Sequence, residues 1–231
     1  MSPQNDNYCP RFLEQAADQG IWSRMAAPLR DDRTAHSLPE SQSDFDFTYR
    51  IRCVCEDMVA RLPQLAHIEM EQVAVSFCQT RKNVRHGLQA ALTPMRFEEG
   101  KRELVRKGQR WQVQQIRNSQ GQEVLYLLSF YMPRFQNQPF REKLVTILHE
   151  LWHISPRFDG DLRRLGGRCY VHSTSEKAYD AAMAVLAEDW FSQNPSPAIY
   201  DFLKMSFTEL QKHFGGVQGL QISPPKLIRC Q

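Results

Sequence analysis

Residues 144–154 read LVTILHELWHI, a stretch without glycine or proline whose only polar members are Thr146, His149, Glu150 and His153. Pro139 precedes it and Ser155-Pro156 follows it. A helix over about 140–154 is therefore expected, since proline is tolerated at a helix start but cannot be carried through its interior. A helix this apolar has to be covered on most of its sides. The two imidazoles and the carboxylate that would be buried with it need partners to offset their lost hydration. Whatever fold the chain adopts must wrap this one helix and explain three ionisable groups inside it.

The flanking sequence supplies the layers. Over residues 47–65, Ile51, Val54, Cys55, Met58, Val59 and Leu62 recur at helical spacing, and Pro63 marks the end. Strand-like runs follow at 73–77, 87–95, 110–117 and 124–131, with Asn118-Ser119-Gln120-Gly121 as a hairpin signal between the last two. They are expected to form one small, mostly antiparallel sheet. Two more helices are read at 174–191, with Ala178, Ala181, Ala182, Val185, Leu186 and Trp190 on the buried side, and at 199–214 before Gly215-Gly216. The order of elements implies an α+β domain. Residues 1–45 read as an N-terminal extension, partly disordered, with a short amphipathic segment around Phe12, Ala16, Ile21 and Trp22 and a linker at 37–46. The domain is placed at 46–215 and a C-terminal tail at 216–231.

Composition excludes several classes. With 42% hydrophobic and 24% charged residues the chain is not disordered throughout. No apolar run reaches the roughly 18 residues that span a bilayer, and polar residues 1–7 lead into no signal core, so a cytoplasmic protein without a membrane partner is expected. The six cysteines, Cys9, Cys53, Cys55, Cys78, Cys169 and Cys230, form no C-x-x-C pair and read as reduced thiols. The net charge of +3 is too mild to point to nucleic acid by itself.

His149-Glu150-Leu151-Trp152-His153 is an H-E-x-x-H motif. Residues four apart share a helix face, so both imidazoles can be directed at one zinc ion about 2 Å away. Glu150 is turned aside from that face, where it can take a proton from water activated by the metal and return it to a leaving amine. A random chain with 7 histidines in 231 residues would contain the motif on the order of one time in a hundred. The alternative is a core helix whose imidazoles only bond backbone carbonyls, and the intervening acid argues against it. A catalytic zinc needs a third protein ligand. His172, which follows a loop containing Gly160, Gly166 and Gly167, leads; Asp159 comes next, and Glu176 or Asp180 would serve if the ligand is a carboxylate. The longer pattern that ends in a third histidine is absent, because Pro156 and Asp159 stand at its glycine and histidine positions.

At these residues the chain resembles the phage-type metallopeptidases, small zincins in which H-E-L-x-H-I continues into F-x-G-x-L-R. Here those are residues 149–154 and then Phe158-Asp159-Gly160-Asp161-Leu162-Arg163. The resemblance implies a minimal zincin-like fold, a bound Zn2+, a peptidase acting on peptide or protein substrates, and His172 as the third ligand. A more distant likeness to the SprT-like proteases rests on architecture and that late histidine, and would imply action on protein bound to DNA. Arg81, Lys82, Arg85, Arg96, Lys101, Arg102, Arg106, Lys107 and Arg110 could follow a phosphate backbone, opposed only by Glu98, Glu99 and Glu103. A solvated surface is the preferred reading, since no aromatic interleaving accompanies the charges. Arg163 and Arg164 could contact substrate or a developing oxyanion, or pair with Asp159 and Asp161. Tyr170 and Tyr179 are candidate donors on similar grounds. The leading expectation is zinc-dependent peptide hydrolysis with His149, His153 and His172 as ligands and Glu150 as base. Its rival is a non-catalytic zinc-binding module.

Overall fold

The structure is a computed structural model that describes residues 44–80, 87–164 and 176–230, with side chains from residue 181 onward in the last stretch. It begins with a two-residue strand, β1 (Phe45–Asp46), which runs directly into helix α1 (Phe47–Arg61). Asp46 caps that helix by accepting from the Tyr49 N–H at 3.0 Å, and Pro63 follows its end at Leu62. Short 3-10 turns at Pro63–Leu65 and Met70–Gln72 lead into β2 (Val73–Gln79). After β3 (Ala90–Pro94) come β4 (Glu103–Arg106), β5 (Gln109–Val113) and β6 (Tyr126–Met132). Helix α2 (Phe140–Trp152) carries the H-E-x-x-H motif, and α3 (Glu176–Ser192), α4 (Pro197–Tyr200), α5 (Phe207–Phe214), β7 (Val217–Gln218) and β8 (Leu227–Arg229) complete the chain.

The architecture is α+β. Its central sheet has the order β2-β6-β3, with β6 parallel to β2 and antiparallel to β3. One face packs Val73, Val75, Phe77, Leu128 and Phe130 against α1, α2 and α3, and this is where the main core lies. The other face carries a smaller cluster of Ala74, Met95, Val124 and Leu127, against which Val113, Ile116 and Ile222 rest. Polar anchors fix the helices at buried points. Arg52 donates to the carbonyls of Met70 and Val73, tying α1 to the start of β2, and Trp190 Nε1 donates to Asp57 at 2.8 Å, tying α3 to α1. Lys143 on α2 donates to the carbonyls of Leu203 and Met205, both at 2.7 Å. Among the described residues no helix is long and apolar enough to cross a membrane.

Several expectations need correction. The strands do not form one mostly antiparallel sheet: the central sheet contains a parallel pair, and β5 belongs to a separate antiparallel sheet of order β4-β5-β8. Alternation of apolar residues reports which face a residue takes but not which strand lies beside it, so the partner of 110–117 was not legible. β4 was missed because all four of its residues are exposed, leaving no alternation to read. The turn at 118–121 exists, with Gly121 N–H on the Asn118 carbonyl, but it closes only an isolated Arg117–Glu123 bridge. The helix read at 199–214 is broken at Met205-Ser206, where Ser206 and Glu209 form a reciprocal capping box that starts α5. The stretch read as a tail is tied to the body: the Phe77 N–H donates to the Leu220 carbonyl, Ser76 Oγ bonds both backbone groups of Ile222, and β8 pairs with β5. The segment around Phe12 and Trp22, most of the linker at 37–46, and Arg81, Lys82 and Arg85 lie outside the described residues.

Candidate metal centre

Helix α2 starts at Pro139, whose carbonyl accepts from the Lys143 N–H, and its apolar ridge of Leu144, Ile147, Leu148 and Leu151 is buried in the main core. Spacing by 3.6 residues then puts His149 and His153 on the reverse side of the helix. Their rings lie one turn apart, with centroids 4.6 Å from each other and planes at 85°. His153 is buried and His149 half-buried.

The loop that follows folds back onto the backbone of His153. The chain reverses at once, so that Ile154 bridges Leu162 and the Arg163 N–H donates to the His153 carbonyl at 2.7 Å. Gly160 takes a positive φ of 86° and leaves no room for a Cβ against the Arg96 side chain, which is why the F-x-G segment needs glycine there. Tyr126 on β6 locks the loop from below: its hydroxyl donates to the Asp161 carbonyl at 2.9 Å and accepts from the Gly160 N–H at 3.0 Å. Asp161 is buried and bound on both oxygens, by the N–H groups of Glu99 and Leu162 and by the guanidinium of Arg164.

Glu150 points elsewhere. Its Oε2 accepts the Leu92 N–H on β3 at 2.8 Å. In the antiparallel ladder the residue pairs 89/131, 91/129 and 93/127 share register with bonds toward β6, so Leu92 directs its N–H at the free edge of the sheet. The carboxylate thus sits between helix and edge strand. Burial pushes it up from 4.5 to about 7, against the lowering effect of the Leu92 N–H. A carboxyl near neutrality is suited to taking and returning a proton. Tyr131 on β6 is raised as well, by burial first, then by Cys78 and by the Glu150 charge.

Other expected site residues separate into distinct groups. Arg163 lies at the helix end: Nε donates to the Trp152 carbonyl at 2.7 Å and the guanidinium stacks 4.2 Å over the Trp152 ring. That position complements the carbonyl end of α2. Arg164 pairs with Asp161 and Glu98, the loop-pinning alternative. Asp159 accepts the Asp161 N–H at 3.2 Å. Among the described residues no three His, Cys, Asp or Glu side chains converge as a metal site, so Asp159 does not complete one with His149 and His153. His172 and Tyr170 lie outside the described residues, as do the side chains of Glu176, Tyr179 and Asp180.

Helix α3 packs against α2. Arg141 pairs with Glu188, and the rings of Phe140 and Phe191 lie 6.0 Å apart, so the last turns of α3 flank the first turn of α2. Sequence reasoning missed the Leu92 N–H and Tyr126, because neither a backbone group 58 residues from Glu150 nor an ordinary strand tyrosine carries a local signal. No family model matches this chain, and no curated protein or solved structure matches it either.

Proposed function

We propose that this protein is a zinc-dependent peptidase of minimal zincin-like form, with His149 and His153 as two metal ligands and Glu150 as general base. The observation that carries the reading is the pair of imidazoles one turn apart, 4.6 Å between centroids, with a part-buried carboxyl beside them that is held off the shared face by a strand N–H. Two neutral imidazoles are a donor set that suits zinc, and the fit extends to two of the three protein ligands such a site requires. The third would come from His172, Glu176 or Asp180. When bound, zinc supplies a Lewis acid and lowers the pKa of water toward about 7.

The chain's own residues do the rest. His149 and His153 are fixed in direction by α2, and the loop pinned through Tyr126 and Asp161 holds the backbone at His153 in place. Glu150, raised to about 7, accepts a proton from the attacking water and delivers it to the departing amine. A purely structural metal site has no use for such a group, which favours the enzyme over a non-catalytic module.

Elemental analysis of purified full-length protein tests the site directly. One zinc per chain is expected, lost in His149→Ala and His153→Ala. Glu150→Gln should retain the metal while cleavage of a broad peptide library disappears. Among His172→Ala, Glu176→Gln and Asp180→Asn, one substitution should weaken zinc binding far more than the other two. A folded protein that takes up no zinc would refute the proposal.

A further inference from the structure

The sheet β4-β5-β8 stands apart from the helices and has two different faces. Residues directly opposite in antiparallel strands share a face. The register Leu104↔Trp111↔Arg229, with Arg106↔Gln109 and Val113↔Leu227 in the flanking rows, therefore places Leu104, Arg106, Gln109, Trp111 and Arg229 on one side. Glu103, Val105, Arg110, Gln112 and Ile228 fall on the other, where Glu103 pairs with Arg110 at 3.6 Å. The first face carries no carboxylate. At its inner end Val113 rests on the small core cluster, while toward the tip Leu104 is 43% exposed and Arg106 and Arg229 are exposed. The hairpin closes through Lys107 (φ 52°) and Gly108 (φ 72°), both left-handed, which puts the Lys107 ammonium at the tip. Among the described residues Arg106, Lys107 and Arg229 make no ion pair, whereas Lys101 and Arg102 are paired with Glu99 and Glu123.

We propose that this face binds single-stranded nucleic acid, with the half-buried Trp111 indole as a stacking platform and Arg106, Lys107 and Arg229 as phosphate contacts. Charge complementarity selects a polyanion, because three cations surround a face without an acid. The aromatic centre selects one that presents flat bases, since every base has a π-face to stack and an acidic peptide has none. Arg229 on β8 stands beside Trp111, and Arg106 on β4 lies one row toward the tip, about 7 Å along the strands, so the two guanidiniums lie on opposite sides of β5 and can reach phosphates on either side of a base on Trp111. Arg229 lies 118 residues from Trp111, so the combination exists only in the folded chain. The site is separate from the metal centre and does not depend on that reading.

The test is fluorescence anisotropy of a labelled oligothymidylate of about 20 nucleotides, titrated with full-length protein, both as purified and after chelation. Three phosphate contacts predict that log affinity falls against log salt with a slope of about −2, and each of Arg106→Ala, Lys107→Ala and Arg229→Ala should reduce that slope by about 0.7. Trp111→Ala should lower affinity about tenfold or more, while Trp111→Phe keeps most of it. The arginine variants are surface changes and keep the test valid if Trp111→Ala does not fold. No binding at low salt, or binding unmoved by the three charge substitutions, would overturn the proposal. So would displacement by polyglutamate as effective as by unlabelled oligothymidylate, which would mark the face as an acidic-protein surface.

Discussion

Replacing Glu150 with glutamine should make the metal-free protein more stable, and by an amount that depends on pH. In the folded chain burial raises this carboxyl from 4.5 to about 7. Between those values the folded state holds a proton that the unfolded chain has released, so stability falls as pH rises through the window. A rise of this size corresponds to about 3 kcal/mol once pH exceeds 7. Glutamine cannot ionise and keeps an oxygen for the Leu92 N–H, so it stands in for the neutral carboxyl at every pH. Glu150→Gln is then expected to match wild type near pH 4.5 and to exceed it by about 3 kcal/mol at pH 8. Urea denaturation of chelated samples across that range measures the difference, with a matching gain in Tm of about 9 °C at the upper end. A gap that stays constant with pH, or a variant less stable at pH 8, would refute the claim that Glu150 is held in its site against its desolvation cost. The same substitution removes the proposed base, so stability and activity should move in opposite directions.

Two further perturbations test how the site is supported. Tyr126→Phe removes the hydroxyl that bonds Asp161 and Gly160 and should cost about 2 kcal/mol, with weaker zinc retention on dialysis because the loop after His153 is loosened; unchanged retention would separate the loop from the metal site. Lys143→Met removes both donors to Leu203 and Met205 and should cost about 2 kcal/mol at neutral pH. Burial holds Lys143 down at about 8 against 10.5. The unfolded chain therefore binds more protons between those values, wild type gains stability as pH rises through them, and a variant that still showed that gain would rule out Lys143 as its source.

Local spacing was enough to read much of the chain. The helix of residues 140–152, its proline boundaries, the common face of His149 and His153 and the sideways direction of Glu150 all follow from a 3.6-residue repeat acting within a few turns. The same short range explains α1, whose apolar spacing and Pro63 were sufficient. Tertiary structure decided what the spacing leaves open. It chose β3 as the edge strand whose Leu92 N–H receives Glu150, set β6 parallel to β2, and drew β8 from the end of the chain to complete the sheet around Trp111. It also turned Arg163 onto Trp152 and left Asp161, not Asp159, as the saturated centre of the loop. Periodicity tells each residue which way to face. Which distant strand or loop it meets there depends on how the whole chain closes its core, and no neighbouring residue records that.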